Sequence, residues 1–185
     1  GEDAIGGGVG VSSSGEEDNR AKAPLMAVGM SHPESSHKKM IADLVWLPPH
    51  IQINAKGQIL SSEHLTPRKT HQFVTISGDS QILVWDIRFE DIAAGKLPHV
   101  AKPKPSQRVA AGGDASDSGG VKAVWMPLFR IKTKRLEGTG EVSLCKMIRL
   151  NDGDSDTTIA VDGTTSKCQF ICASEEGDIL SIDLT

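Results

Sequence analysis

Histidines and carboxylates are the side chains of this sequence whose types and spacing could support chemistry. A group of histidines would suit a metal ion, and five lie in the first half of the chain: His32, His37, His50, His64 and His71. Their spacings match no familiar ligand pattern, so a metal-dependent enzyme is the alternative interpretation and not the leading one. We interpret His37 as structural and the others as loop residues near solvent.

Four aspartates could act as general acids or bases: Asp43, Asp79, Asp86 and Asp183. Each is expected at the start of a strand, in a turn or at the end of a strand, where a carboxylate equally well accepts backbone hydrogen bonds. Acid–base catalysis needs an acid and a base held in one cleft, and the sequence shows no such pair. We therefore predict no catalytic residue, no cofactor and no metal, and a protein that is not an enzyme.

The cysteines point to a reducing compartment. Cys145, Cys168 and Cys172 are odd in number, and the sequence has no secretory feature, so disulfides are not expected. Cys168 and Cys172 are four residues apart, which places them on the same face of one strand. In that position a cysteine behaves as a small apolar side chain, and we predict a structural role for these thiols.

The composition leaves much of the chain to loops. Among 185 residues only 38% are hydrophobic, while 19 are glycine and 9 are proline. The net charge of −4 is small and the basic residues are scattered, which argues against nucleic acid as a partner. There is no apolar run of membrane-spanning length. We expect flexible or irregular insertions at residues 1–24, 89–120 and 151–167, and both ends resemble cuts through a larger protein.

Two hairpins of the same pattern carry the strongest structural signal. In the first, strands at residues 73–77 and 81–87 flank a tight Gly78-Asp79-Ser80 turn, and the second strand ends in Trp85-Asp86. The second hairpin, at residues 169–184, aligns with the first without gaps but has Ile where the first has Trp. Repetition of one hairpin is typical of a β-propeller, in which each blade buries its faces against its neighbours.

The first hairpin and the strand before it resemble a WD repeat. Residues 36–48 look like the first strand of such a blade, with apolar positions at Ile41, Leu44 and Trp46. The resemblance implies a buried hydrogen-bonded set that links a His, a Ser or Thr, a turn Asp and the Trp. Its members in this sequence would be His37, Thr75 or Ser77, Asp79 and Trp85. The second repeat lacks the Trp and has Glu176 at the turn, so its set is incomplete.

These patterns predict an all-β fold, a partial WD-repeat β-propeller of about two four-stranded blades. We place a flexible loop at residues 1–24, a blade at 25–91 and a Pro/Lys and Gly/Ser linker at 92–120. Residues 121–185 would supply the last strand of the first blade and a second, degenerate blade. In the strand at 140–150 strict alternation would turn Val142, Leu144, Lys146 and Ile148 to one face.

A finer resemblance is to dynein intermediate chains of the axonemal inner-arm type. The segment HKKMIADLVWLP followed by FVTISGDSQILVWDIR is similar to a strand and hairpin of that family, and the later VWMPLFRI, GEVSLCKMIRL and FICASEEGDILSIDL segments are similar to the next blade. The resemblance implies a non-catalytic scaffold in a large complex, located in the cytoplasm and in the axoneme of cilia or flagella. Its implied partners are the dynein heavy chain, a second intermediate chain and light chains, without nucleic acid or membrane.

Another WD-repeat adaptor remains the alternative, such as a chromatin-associated protein or a ubiquitin-ligase substrate receptor, because WD hairpins occur in many scaffolds. The sequence also contains a run, Lys102-Pro103-Lys104-Pro105, that could contact an acidic neighbour. A solvated connector is the simpler interpretation of that run.

Overall fold

A computed structural model describes residues 29–49, 51–60, 64, 69–104, 124–135, 140–150 and 168–184. The expected flexible stretches at 1–24 and 151–167 lie outside these residues, as does the part of the 89–120 stretch that follows residue 104. The strands are β1 Ile41–Trp46, β2 Gln72–Ser77, β3 Gln81–Asp86, β4 Phe129–Lys132, β5 Leu144–Arg149, β6 Gln169–Ser174 and β7 Ile179–Asp183, and a short helix, α1, covers Phe89–Ala93.

The strands form two antiparallel sheets. The first has four strands in the order β1-β2-β3-β4, and the second has three among the described residues, in the order β5-β6-β7. Each sheet is a meander of neighbouring strands, which is the form of a propeller blade. The all-β fold class is confirmed, and the arrangement is consistent with a partial WD40 propeller.

The first hairpin forms where its sequence predicts it. β2 pairs with β3 from Gln72 opposite Asp86 to Ser77 opposite Gln81, and Ser80 closes the turn with a φ of 58°. Every residue of β2 is buried, because the two strands lie in the middle of the sheet and both faces of the sheet are covered. This double burial explains why the hairpin reads as a nearly continuous apolar run.

The main core lies between the two sheets. The first sheet contributes Val74, Ile76, Ile82 and Val84 from β2 and β3. The second sheet contributes Leu144, Met147, Phe170 and Cys172 from β5 and β6. Alternate residues of each strand point to this interface, as the two-residue period of a strand requires.

A β-bulge occurs at the same place in the first strand of each sheet. The pairing shifts between Ile41 and Asp43 in β1, and between Leu144 and Lys146 in β5. Ile41 lies opposite Ser77, and Leu144 lies opposite Ser174, which is the equivalent serine of the second hairpin. The structural repeat therefore includes an irregularity that the hairpin alignment alone did not reveal.

The bulge in β5 corrects the sequence prediction about which side chains share a face. Strict alternation in β5 is wrong, because the extra residue brings Leu144 and Met147 to the core together and leaves Ile148 59% exposed. In β1 the expected apolar positions Leu44 and Trp46 are 47% and 44% exposed. They lie on the face of the first sheet that points away from the second sheet, whereas Val45 packs on the core between the sheets.

The two connections of the first blade pack against each other. Residues 51–60 follow β1, and residues 87–104 follow β3; the latter contain α1. Their apolar contacts join Leu60, Ile92 and Val100 in a small separate core. The backbone N–H of Ala55 donates to the carbonyl of Val100 at 2.8 Å. The described part of the expected linker, residues 92–104, is therefore packed on the blade.

Candidate functional site

A buried chain of hydrogen bonds connects the turn of the first hairpin to the residues before β1. His37 contacts Asp79 through Nδ1 at 3.0 Å and Thr75 through Nε2 at 2.9 Å. The Trp85 indole donates to the Thr75 hydroxyl at 2.7 Å. The side chains of His37 and Asp79 are only 2% and 5% exposed. The structure thus brings together four of the five residues proposed for the set.

The donors and acceptors of this chain can be assigned from its chemistry. The Asp79 carboxylate only accepts, so the His37 Nδ1 must carry the proton that it receives. In the neutral ring Nε2 is then an acceptor, and the Thr75 hydroxyl donates its one proton to it. That leaves the oxygen of Thr75 to accept from Trp85. The indole N–H, the Thr75 hydroxyl and both imidazole nitrogens thus all have a partner on the path from Trp85 to Asp79.

Asp79 is held as a carboxylate. Loss of solvent at this site would raise the pKa of Asp79, but hydrogen bonds from the backbone N–H of Lys38, the His37 ring and the backbone of Gln81 outweigh it and lower the pKa below its usual value. The Lys38 bond is short, at 2.7 Å. This carboxylate fastens the residues before β1 to the turn between β2 and β3.

Ser77 lies outside the set. It is fully buried on the same face of β2 as Thr75, yet its hydroxyl has no hydrogen-bond partner among the residues described. Of the two hydroxyl residues that the resemblance offered, Thr75 therefore serves the histidine and the tryptophan. The reason is position, since Thr75 faces both rings and Ser77 lies one strand period further along.

The turn of the second hairpin makes a partly similar contact. Both carboxylate oxygens of Glu176 accept from the backbone N–H of Ser143 at 3.2 Å. Ser143 directly precedes β5, as Lys38 lies shortly before β1. Because Ile182 stands in the place of the tryptophan, the described residues of the second sheet keep the turn contact without the indole.

A second buried polar group lies at the opposite end of the first hairpin, and sequence reasoning missed it. The Arg88 guanidinium binds both oxygens of Asp86, at 2.9 and 2.6 Å, and also donates to Gln52 at 2.9 Å. The Gln72 amide bonds both the N–H and the carbonyl of Ile53 at 2.8 Å and donates to Asp86 at 3.0 Å. These contacts tie the connection after β1 to the end of the hairpin.

The only sequence signal for this group was the Asp86-Ile87-Arg88 spacing, which puts an acid and a base two residues apart at the end of a strand. Nothing in the sequence marks Gln52 or Gln72 as their partners, because Gln52 lies in the connection after β1 and Gln72 lies in β2, both far from Asp86 and Arg88 along the chain. The neighbouring His71 has a lowered pKa, since burial disfavours its charged form and Arg88 adds a like charge.

Two polar side chains of the first sheet bind the second sheet. One oxygen of Asp43 accepts from the Met147 N–H at 2.9 Å and pairs with Lys146 at 3.0 Å. Desolvation opposes ionisation of Asp43, but these bonds and the Leu44 N–H lower its pKa overall. The Ser80 hydroxyl bonds both the N–H and the carbonyl of Val142, at 2.6 and 3.1 Å. Both contacts position the start of the second blade on the first.

The buried thiols of the second sheet are held in their less reactive, protonated form. Burial raises the pKa of both Cys168 and Cys172 to about 11, which keeps these thiols protonated at neutral pH. Among the described residues, His, Cys, Asp and Glu side chains form no group of three that could hold a metal. In the same part of the chain, no helix has the length and apolarity needed to cross a membrane.

The sequence matches a family model along most of its length. The model describes the dynein axonemal intermediate chain 3 WD40 domain, and the match runs from residue 10 to residue 181. The chain belongs to this family. Membership confirms the resemblance to axonemal dynein intermediate chains, and this family is of the non-catalytic scaffold type.

Individual members of the family are distant relatives. The zebrafish (Danio rerio) dynein axonemal intermediate chain 3 is 26% identical over 127 residues, which cover 67% of this chain and 13% of the relative. The mouse (Mus musculus) protein is 32% identical over 72 residues, or 39% of the chain and 8% of the relative. The human protein is 26% identical over 129 residues, 69% of the chain and 13% of the relative. The chain therefore spans about an eighth of the length of two of these relatives.

Proposed function

We propose that this chain is part of a non-catalytic scaffold subunit of an axonemal dynein, in which the propeller binds the heavy-chain tail, a second intermediate chain and light chains. The match to the intermediate-chain WD40 family over residues 10–181 carries the proposal. The same proposal places the protein in the cytoplasm, where the motor is assembled, and in the axoneme of cilia or flagella. Under this proposal the protein binds neither nucleic acid nor membrane.

The geometry of the first blade supports a scaffolding role. Its central strands are buried on both faces, and buried polar groups fasten both ends of its hairpin. A blade held in this way keeps its surface loops in fixed positions, which is what recognition by a scaffold requires. The chain of Asp79, His37 and Thr75 has the connectivity of an acid, a base and a hydroxyl nucleophile. The Thr75 hydroxyl is buried and already accepts from Trp85, so a substrate cannot reach it, and binding explains the structure better than catalysis does.

Affinity purification of the intact tagged protein from ciliated cells tests the proposal. We expect dynein heavy chain, a second intermediate chain and light chains to co-purify in fixed proportions and to co-sediment as one complex. Recovery of histones or cullin components without heavy chain would instead establish the alternative adaptor function. Untagged cells provide the control for proteins that adhere to the resin.

Metal analysis tests the non-catalytic part of the proposal separately. We expect no stoichiometric metal in the purified intact protein. A zinc or iron content near one atom per chain that persists after dialysis against a chelator would contradict a purely scaffolding function and favour the histidine-based alternative.

A further inference from the structure

β4 forms one edge of the first sheet. Among the described strands it pairs only with β3, from Phe129 opposite Val84 to Lys132 opposite Gln81. An edge strand leaves the N–H and C=O groups of its outer side without a partner strand, so a further strand can be added there. We call residues 129–134 the β4 edge.

Basic side chains recur at every second position of the β4 edge. Arg130, Lys132 and Lys134 are all exposed, and the two-residue period of a strand places Arg130 and Lys132 on one face. Lys132 and Lys134 have no ion pair or side-chain hydrogen bond among the described residues. Arg130 donates to the carbonyl of Ser35 at 2.7 Å, and this neutral acceptor leaves its positive charge in place. The β4 edge therefore presents a row of cations.

The opposite face of β4 is apolar. Phe129 and Ile131 are partly buried and pack against the core between the two sheets. A strand added at the β4 edge would extend both faces at once, because its side chains alternate as those of β4 do. Its residues on one face would lie beside the cations, and those on the other face would lie beside Phe129 and Ile131.

We propose that the β4 edge binds an extended segment of a partner protein in which acidic residues alternate with apolar or β-branched residues. Backbone hydrogen bonds hold the segment, and its carboxylates lie opposite Arg130, Lys132 and Lys134, where opposite charges attract in cross-strand pairs. The same cations disfavour pairing with the β4 edge of a second copy, because like charges would then face each other. This site does not depend on the contacts with motor subunits proposed above.

Fluorescence anisotropy of a labelled Glu-Val-Glu-Thr-Glu-Val peptide, titrated with the intact protein at physiological ionic strength, tests the site. We expect saturable binding that weakens about fivefold in Lys132→Glu, because an attractive cross-strand pair becomes a repulsive one. Lys132→Gln removes the charge without reversing it and should weaken binding less. Lys69→Glu is the matched control: Lys69 is exposed and precedes β2, which β3 separates from β4, so affinity should change by less than about twofold.

Further peptides separate strand addition from simple attraction between charges. A Glu-Glu-Glu-Val-Thr-Val peptide has the same composition without the alternation and should bind several-fold more weakly. Methylation of the backbone nitrogens of the first peptide keeps its charge but removes its hydrogen-bond donors, and it should abolish binding. A Lys-Val-Lys-Thr-Lys-Val peptide should not bind, since its charges repel those of the β4 edge.

Three outcomes would overturn the proposal. Equal binding of the alternating and the scrambled acidic peptides would show non-specific attraction between charges. Equal weakening by Lys132→Glu and Lys69→Glu would show that binding occurs away from the β4 edge. An absence of binding by the alternating acidic peptide would show that the edge does not accept an added strand.

Discussion

Thr75 is the residue on which the buried hydrogen-bonded set depends, because its single hydroxyl serves two rings. It accepts from Trp85 at 2.7 Å and contacts His37 at 2.9 Å, and it is 1% exposed. Water cannot replace either contact in so closed a site. The stability of the first blade should therefore be sensitive to one oxygen atom at this position.

The substitution Thr75→Val tests this dependence, since valine has nearly the same shape and no hydroxyl. We expect the free energy of unfolding to fall by about 2–4 kcal/mol, because two buried polar groups lose their partner. Ser77→Ala is the matched control on the same face of β2: its hydroxyl has no partner among the described residues, so the change should be close to neutral. Urea unfolding of both variants measures the difference, and equal losses would refute the special role of Thr75.

Asp79 should make stability depend on pH on the acid side. Its pKa is lowered in the folded chain from an ordinary value of 3.8, so the ionised form stabilises the fold. This stabilisation is fully present above about pH 4 and is lost as the pH falls through the lowered folded pKa. We expect Asp79→Asn to be less stable than the wild type at pH 7 and to lose less stability between pH 5 and pH 2.5.

Urea unfolding at several pH values checks that expectation. Asp91→Asn is a suitable control, because Asp91 forms an exposed pair with Lys96. The free energies of unfolding of the wild type and of Asp79→Asn should converge at low pH. Parallel curves of stability against pH for these two proteins would contradict the role assigned to Asp79.

At the scale of elements, the hairpins could be predicted from sequence and the bulged strands could not. The register of β2 and β3 follows from a tight turn flanked by apolar residues, which is local information. The bulges in β1 and β5 depend on pairing with strands far along the chain, and a strict two-residue period misplaces Ile148 of β5. The set around His37 could be predicted because each member has a fixed place in the repeat. No motif in the sequence predicts the contacts of Gln72 and Asp43.

Asp43 lies next to the bulge of β1 and links the two sheets. We expect Asp43→Ala to reduce the free energy of unfolding by about 1–3 kcal/mol, because the Met147 N–H loses its partly buried acceptor. Hydrogen exchange should localise the effect, with the Met147 amide exchanging faster and the amides of β2 and β3 changing less. Asp91→Ala removes an exposed carboxylate and should cost about 0.5 kcal/mol or less. Unchanged exchange at Met147 would show that the contact does not hold the sheets together.

At the scale of the whole molecule, the two sheets pack face to face, and the second sheet has its other face turned outward. On the outward face of the second sheet, Ile148 is 59% exposed and Ile179 is 69% exposed. The pairings of β5 and β7 with β6 place both side chains on that face. Further blades packed on such faces would cover them, as in a closed propeller.

The outward face predicts self-association of the 185-residue chain when it is prepared alone. We expect sedimentation velocity to show oligomers at micromolar concentration, and Ile179→Lys to shift the distribution towards monomer by removing apolar area and adding charge. Gln58→Lys adds the same charge at an exposed residue of the connection after β1 and should leave the distribution of oligomers unchanged. A monomeric wild-type chain would contradict the prediction that this apolar face drives self-association.

The pairing of β3 with β4 determines how much the length of the connection between them can change. These strands lie side by side although residues 87–128 separate them along the chain. The entropy lost on closing a loop grows only with the logarithm of its length, by about 0.6 kcal/mol for each doubling. A longer connection between β3 and β4 should therefore cost the blade little free energy and leave the register of the two strands unchanged.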